Sequence, residues 1–344
     1  MLFGTQRVSA RMHTLATFLV AFGTTLSAFW IIALNSWMHT PQGFQMIGGK
    51  AFATNWLEII FNPSMIYRLL HMLTASALTV AFLIAGICAY RYLKGSRASA
   101  VLLPLRAAIT MAAILVPVQM VLGDLHGLNT LHYQPAKLAA MEGIWKTQRG
   151  VPAILFGWPD SQTQSNHYEV AIPKLGSLYL THQWEGEVKG LDQFKDRHPP
   201  VRPVFFAFRL MVGIGLLMLL VAWWGKFYMR NKERVLAPFF LRALVAMTFS
   251  GWIAILAGWY VTEIGRQPYL VYGVLTTAQA AGPATFAQLG STLVMYLCLY
   301  IGLIFAYVAT LFYLARQADN PTTTNDFALS ATGAVSSIGV KHDA

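Results

Sequence analysis

A few polar and soft side chains stand in otherwise apolar runs, where an unpaired polar group is costly, so each invites a chemical explanation. His71 stands in RLLHMLTASALTVAF, near the rim of its run. An imidazole there could ligate a heme iron through one nitrogen while a neighbour fixes the other. The alternative is an interfacial His wetted by lipid headgroups. Met211 lies in FFAFRLMVGIGLLMLL, and a thioether is a soft axial ligand that would complete His/Met ligation of such an iron. Against this, methionine is a common gap filler, and the chain has 14 of them. The depths of the two candidates differ by ~9 Å at ~1.5 Å per residue, so pairing them requires tilt or shifted helix starts. Arg209 precedes Met211 by two positions. Its planar donors match a carboxylate such as a porphyrin propionate, unless they simply snorkel to headgroups. In GWYVTEIGRQPYLVYGVLTT, Trp259, Glu263 and Arg266 fall at i, i+4 and i+7, which puts an aromatic, an acid and a base on one helical face. Gly265 and Pro268 then break the helix. An interfacial Glu–Arg pair beside a belt Trp explains the same pattern. Finally, YQPAKLAAMEGIWKTQRG supplies Lys137 and Glu142. Quinol oxidation releases two protons, and such an acid could accept one while the lysine holds a quinone oxygen. Residues five apart diverge by ~140° on a helix, so a solvated amphipathic helix is the favoured reading of this segment.

The elements that must position these groups are membrane helices. Of 344 residues, 56% are hydrophobic and 11% charged, against ~25% charged in a soluble domain, so the chain needs lipid. Six runs are long enough to cross a bilayer, near 14–37, 69–91, 102–123, 204–224, 237–260 and 290–315. The expected fold is therefore all-α, a polytopic transmembrane bundle of about six helices with a long outer loop. The net charge of +11 is read as membrane topology and not as a nucleic-acid footprint. Arg7 and Arg11, then Arg91, Lys94 and Arg97, then Lys226, Arg230, Lys232 and Arg234, and last Arg316, all fall on one side, the cytoplasmic one. Both termini are expected there. The opposite side receives 38–68, 124–203 and 261–289, of which 124–203 is too long and too rich in aromatic and charged residues to be a mere turn. Cys88 and Cys298 lie in apolar stretches and read as packing residues. The first run lacks a small-residue cleavage pattern and reads as a membrane helix. Residues 1–316 are thus the transmembrane part, and 317–344 a disordered cytoplasmic tail.

Six segments together carry a resemblance: RVSARMHTLATFLVAFGTTLSAFWIIALNSWMHTPQGF, RLLHM, GDLHG, QPAKLAAMEGIW, FRLMVG and GWYVTEIGRQPY. In this order they resemble subunit I of the cytochrome bd-type quinol oxidases, and GRQP after a Trp-to-Glu helix is the most specific element. The resemblance implies that His71 and Met211 are the axial ligands of a low-spin heme b, with Arg209 beside them. It places Lys137 and Glu142 on a quinol-binding loop spanning 124–203, and Glu263, Trp259 and Arg266 at a second heme centre where Glu263 meets iron. It further implies a bacterial inner membrane, a subunit II, a small accessory subunit, and in the full enzyme a second heme b with either heme d or a further heme b, where quinol electrons reduce oxygen to water. The loop is brief, as in the cyanide-insensitive branch. Tyr269 stands where the family usually has Trp. The chain also opens just before the family's fourth helix, so oxygen reduction by this chain alone is expected to be absent. Two other expectations compete: a heme-free solute transporter, and an N-terminally truncated, nonfunctional remnant.

Overall fold

The computed structural model describes residues 8–195, 197–231 and 235–317. Arg7, Lys232, Arg234 and the Arg316 side chain, which carry part of the orientation argument, lie outside the described residues, as does the expected tail beyond Gln317.

Helices of the membrane-crossing kind follow from composition: long runs rich in apolar side chains suit lipid, and the helix satisfies its own backbone. In chain order they are α1 (Ala10–His39), α3 (Met65–Leu93), α4 (Ser99–Tyr133), α7 (Val201–Tyr228), the pair α8 (Pro238–Ala246) and α9 (Ser250–Ile264), and α11 (Phe286–Gln317). Counting α8 and α9 as one span, six are long and apolar enough to cross a membrane. Each predicted span falls on one of them. The span expected at 237–260 is interrupted, because Thr248 and Ser250 hydroxyls bond back to the Val245 and Met247 carbonyls at 2.6 and 2.7 Å. Helix α4 runs ten residues beyond the predicted 123, so GDLHG is helical and the long connection starts at Gln134. Hydrophobicity fades there but the backbone has no reason to stop until Pro135, which disfavours helix in the residue before it.

The connections hold the remaining elements: β1 (Phe44–Ile47), β2 (Lys50–Ala53), α2 (Trp56–Ile60), α5 (Pro135–Glu142), β3 (Gln148–Arg149), β4 (Ala153–Asp160), β5 (Ser165–Ile172), α6 (Leu175–Thr181), β6 (Glu187–Val188), β7 (Tyr269–Val271), β8 (Leu275–Thr276) and α10 (Thr277–Ala280). The strands form two-stranded antiparallel pairs, β1–β2, β3–β6, β4–β5 and β7–β8. The protein is therefore mostly helical, with ribbons confined to its loops.

The described residues fall into two compact units. One gathers the described parts of 1–27, 91–101 and 282–344. Within it Arg97 stacks over Tyr92 and donates to its carbonyl at 2.7 Å, and Thr285 and Gln288 cap α11 reciprocally. The other unit, 28–90 and 102–281, holds every candidate site residue. Its long connection after α4 has a core of its own, in which Leu138, Ile144, Trp145, Val151, Leu180, Val188 and Leu191 are buried together. Helix α5 starts with Pro at its first position and ends on Gly143 at φ 73°, where a Cβ would also lie 2.8 Å from the Phe205 ring. Only glycine both turns the chain left-handed there and lets α5 lie against α7.

Candidate functional site

His71 sits in the second turn of α3 and faces α4. Its Nε2 is 3.1 Å from the Gln119 amide, and a Cβ added to Gly123 would stand 3.3 Å from its Cε1. The other nitrogen, Nδ1, is buried without a hydrogen-bond partner among the described residues. A second imidazole, His126, lies 5.8 Å away ring to ring. Met211, on α7, points its sulfur at α9, where a Cβ on Gly258 would be only 3.0 Å from Sδ. The imidazole thus meets α4 and the thioether meets α9.

Around the last turn of α9 the structure gathers a polar cluster from four elements. Arg266 Nη2 donates to Glu263 at 2.6 Å, and Asn35 of α1 donates to the other carboxylate oxygen at 2.8 Å. Arg68 of α3 donates in turn to Asn35. Lys137 of α5 lies against the end of α9, its Cε 2.9 Å from where a Cβ would stand on Gly265. Arg68, Lys137 and Arg266 are all buried, whereas the Glu263 side chain is 39% exposed. Burial holds the Lys137 ammonium well below its ordinary value; Arg68 and Arg266 push the same way, and Glu263 opposes. Three buried cations therefore share one carboxylate, and Nε and Nη1 of Arg266 have no partner among the described residues. Trp259 stands one turn earlier on α9, half-buried.

The other end of α5 is built differently. Arg209 of α7 donates to the carbonyls of Met141, Glu142, Phe205 and Ile154 and stacks over the Phe205 ring at 3.3 Å. Its Nη2 is 3.8 Å from the Glu142 carboxylate. Burial raises the Glu142 carboxyl, partly offset by Arg209 and a hydrogen bond from Tyr179. Burial and the adjoining Glu142 raise the Tyr179 hydroxyl in turn. Seven of the eight residues of α5, Ala136 to Glu142, are buried, which corrects the expectation of a solvated amphipathic helix. The helix is held at both ends by charged groups of other elements, and its Lys and Glu serve separate clusters, as their divergence on a helix requires.

Comparison with known proteins decides the family. The model of cytochrome bd terminal oxidase subunit I matches residues 1–319. The chain belongs to that family. It is 31% identical over 358 residues to the cytochrome bd ubiquinol oxidase subunit 1 of Bacillus subtilis, covering 98% of this chain and 76% of that protein. It is 28% identical over 395 residues to the cytochrome bd-II ubiquinol oxidase subunit 1 of Escherichia coli, covering 93% and 77%. Among solved structures, the bd oxidase of Geobacillus thermodenitrificans matches with a TM-score of 0.82 and 32% identity, over 92% of this chain and 73% of that one. This cytochrome bd subunit I is therefore a membrane-embedded oxidoreductase subunit that works with a partner subunit, and its family implies heme and quinol.

The residues present fit heme. A buried imidazole nitrogen without a partner suits a metal, a thioether is a soft ligand of the kind heme iron takes, and the cation-rich cluster suits carboxylates such as propionates. Among the described residues there is no cluster of three or more His, Cys, Asp or Glu that could hold a bare metal ion. Reading by motif left Asn35, Arg68, Gln119 and Tyr179 without a role. The first three were open to discovery as polar residues inside apolar helices, whereas nothing local marks Tyr179.

Proposed function

We propose that this cytochrome bd subunit I oxidises quinol at the outer face of a bacterial inner membrane, with both termini cytoplasmic. It passes the electrons by way of a low-spin heme b toward oxygen reduction to water in a complex with subunit II and a small accessory subunit. The observation that carries this reading is the His71 nitrogen buried without a partner on the helix that also carries Arg68, one of the three buried cations. Held by His71 and Met211, heme would supply one-electron chemistry.

The chain's own residues supply the rest. Gln119 meets one His71 nitrogen and so orients the ring for the other to bind iron. Gly258 leaves room for the Met211 sulfur. Arg209 spends its donors on the carbonyls of the connection and on Glu142, so its role is to seat the quinol loop on α7, beside the heme-binding helix turn. Glu142, raised by burial, is suited to take a proton from quinol, and Lys137, lowered by burial, to hold a quinone oxygen. Arg68 and Arg266 would balance propionate charge, and Glu263 with Trp259 and Arg266 borders a second heme centre, where Glu263 would hold the iron. In this reading 124–203 is the quinol loop, whose folded part begins at Gln134.

Replacing His71 by Ala in the purified complex tests the ligand assignment. The reduced low-spin heme b band is expected to disappear while the complex still assembles. An unchanged spectrum in that variant removes the assignment.

A further inference from the structure

His39, the last residue of α1, is 1% exposed, yet it lines a pocket of about 290 Å³ at the end of the helix, together with Thr40, Gln42, Tyr133 and Tyr272. Its partner is Gln134, the residue just before α5. A residue at that position ordinarily caps the helix with its side chain, but Gln134 makes no such cap. Its amide instead donates from Nε2 to the His39 carbonyl at 3.2 Å, and its Oε1 stands 3.2 Å from His39 Nδ1. The amide nitrogen also stands 3.1 Å from Nδ1, so Gln134 meets that nitrogen with both its amide atoms; where Oε1 accepts from Nδ1–H, the ring Nε2 is left as a lone pair. That Nε2 is buried with no partner among the described residues. A neutral imidazole with one nitrogen fixed and the other vacant is the form a base takes.

The surroundings give that base a place to work. The charged groups facing it are Arg68 of α3, Lys137 of α5 and Arg266 after α9, and the phenols beside it are Tyr133 of α4 and Tyr272 of the β7–β8 ribbon. The ribbon is pinned to the same helix end, since the Tyr272 amide donates to the Met38 carbonyl at 2.9 Å. No carboxylate is among these groups, so nothing there holds a captured proton as a counter-charge would.

We propose that His39 accepts a substrate proton during quinol oxidation, held in its accepting tautomer by Gln134, and releases it into the pocket beside Tyr133 and Tyr272. This rests on the reading that quinol is oxidised at this end of the protein. Of the two quinol O–H bonds that break in turn, one gives its proton to Glu142 and the other to the Nε2 lone pair of His39, and in each round one electron leaves to the oxidase's own acceptors. The imidazolium then gives a proton to pocket water, and after the second round the substrate is quinone.

The test is quinol-dependent oxygen consumption by the purified complex across pH, with the reduced heme spectrum as a check that each variant is intact. His39→Gln keeps a polar side chain of similar reach but has no base. It is expected to lower kcat about 100-fold, to leave KM within about twofold, and to abolish the rise of kcat with pH on the acid side. Gln134→Glu sets a carboxylate at Nδ1, favours the imidazolium, and is expected to move that rise about one unit to higher pH. A His39→Gln complex with wild-type kcat and an intact acid limb overturns the proposal. Should His39→Gln lose its heme spectrum, the Gln134→Glu profile decides alone, and a limb left in place overturns it. A wild-type complex that carries heme b but oxidises no quinol sinks the functional reading and this inference with it; failure of the variants beside an active wild type sinks only the inference.

Discussion

The two ends of α5 solve the same problem, a charge taken out of water, in opposite ways. At Glu142 the account is closed within the protein: one acid faces one guanidinium, a phenol donates to it, and the guanidinium also satisfies four backbone carbonyls. At Lys137 it stays open, with three buried cations, one half-exposed carboxylate and two Arg266 nitrogens unmatched. A closed cluster fixes shape, whereas an open one with more cations than carboxylates is complete only with a counter-charge from a ligand. Arg209 thus acts first on structure, and Lys137, Arg68 and Arg266 act first on what is bound.

Removing the guanidinium at the closed end should have the largest effect on stability. Arg209→Ala leaves the Glu142 carboxylate buried and unpaired and frees the connection from α7, so a loss of about 3–5 kcal/mol is expected. Thermal unfolding of the detergent-solubilised complex and limited proteolysis within 134–200 measure it, and the connection should be cut well before the membrane helices. If Arg209→Ala melts with the wild type and resists protease equally, the closed cluster is not what seats the connection.

At the open end the sign reverses. Lys137→Met removes a buried ammonium and fills its space, a change expected to be neutral or to stabilise by about 1–4 kcal/mol while quinol oxidation falls at least tenfold. The pH dependence sharpens the contrast. The Lys137 value is lower in the folded chain than unfolded, so the unfolded chain binds more protons in the window between the two, and Lys137's burial penalty eases as pH rises through the folded value toward about 10.5. Glu142 is raised on folding, so its stabilising share is present below the unfolded value of about 4.5 and is lost as pH rises through its folded value. Stability curves of Lys137→Met and Glu142→Gln against pH should therefore depart from wild type with opposite slopes, and parallel curves refute the assignment of opposite environments.

The membrane helices and the family were legible because both are written locally, the helices in runs of apolar residues and the family in short motifs such as GRQP. The open cluster was legible only in part. Lys137, Glu263 and Arg266 stood out by motif, but Arg68 and Asn35 are single polar residues in strongly apolar helices. Their partners lie far along the chain, 33 positions apart for Arg68 and Asn35 and 228 for Asn35 and Glu263. Periodicity reports which face of a helix is apolar; it carries no record of which distant polar atom a lone Asn meets. The same limit hid the burial of α5. Its amphipathic pattern is that of a solvated helix, and the elements that cover it, α7 and the core of the connection, join it only through tertiary packing.

The smallest of the effects is also the most direct reading of the open cluster. Arg68→Gln keeps a hydrogen bond to Asn35 within reach and removes one of three positive charges. Stability is expected to change by no more than about 1 kcal/mol, because the lost charge was itself costly to bury. In the proposed reading, Arg68 would stand near a heme whose charge becomes more negative on reduction, and a nearby cation would favour that form. Taking one away should lower the midpoint potential of heme b by tens of millivolts, with about 59 mV corresponding to a tenfold change in the one-electron equilibrium. Redox titration of the complex measures the shift, and Arg209→Lys, which keeps its charge at the closed end, gives the comparison, with a smaller shift expected. A potential unmoved by Arg68→Gln but moved by Arg209→Lys reverses the roles assigned to the two ends of α5.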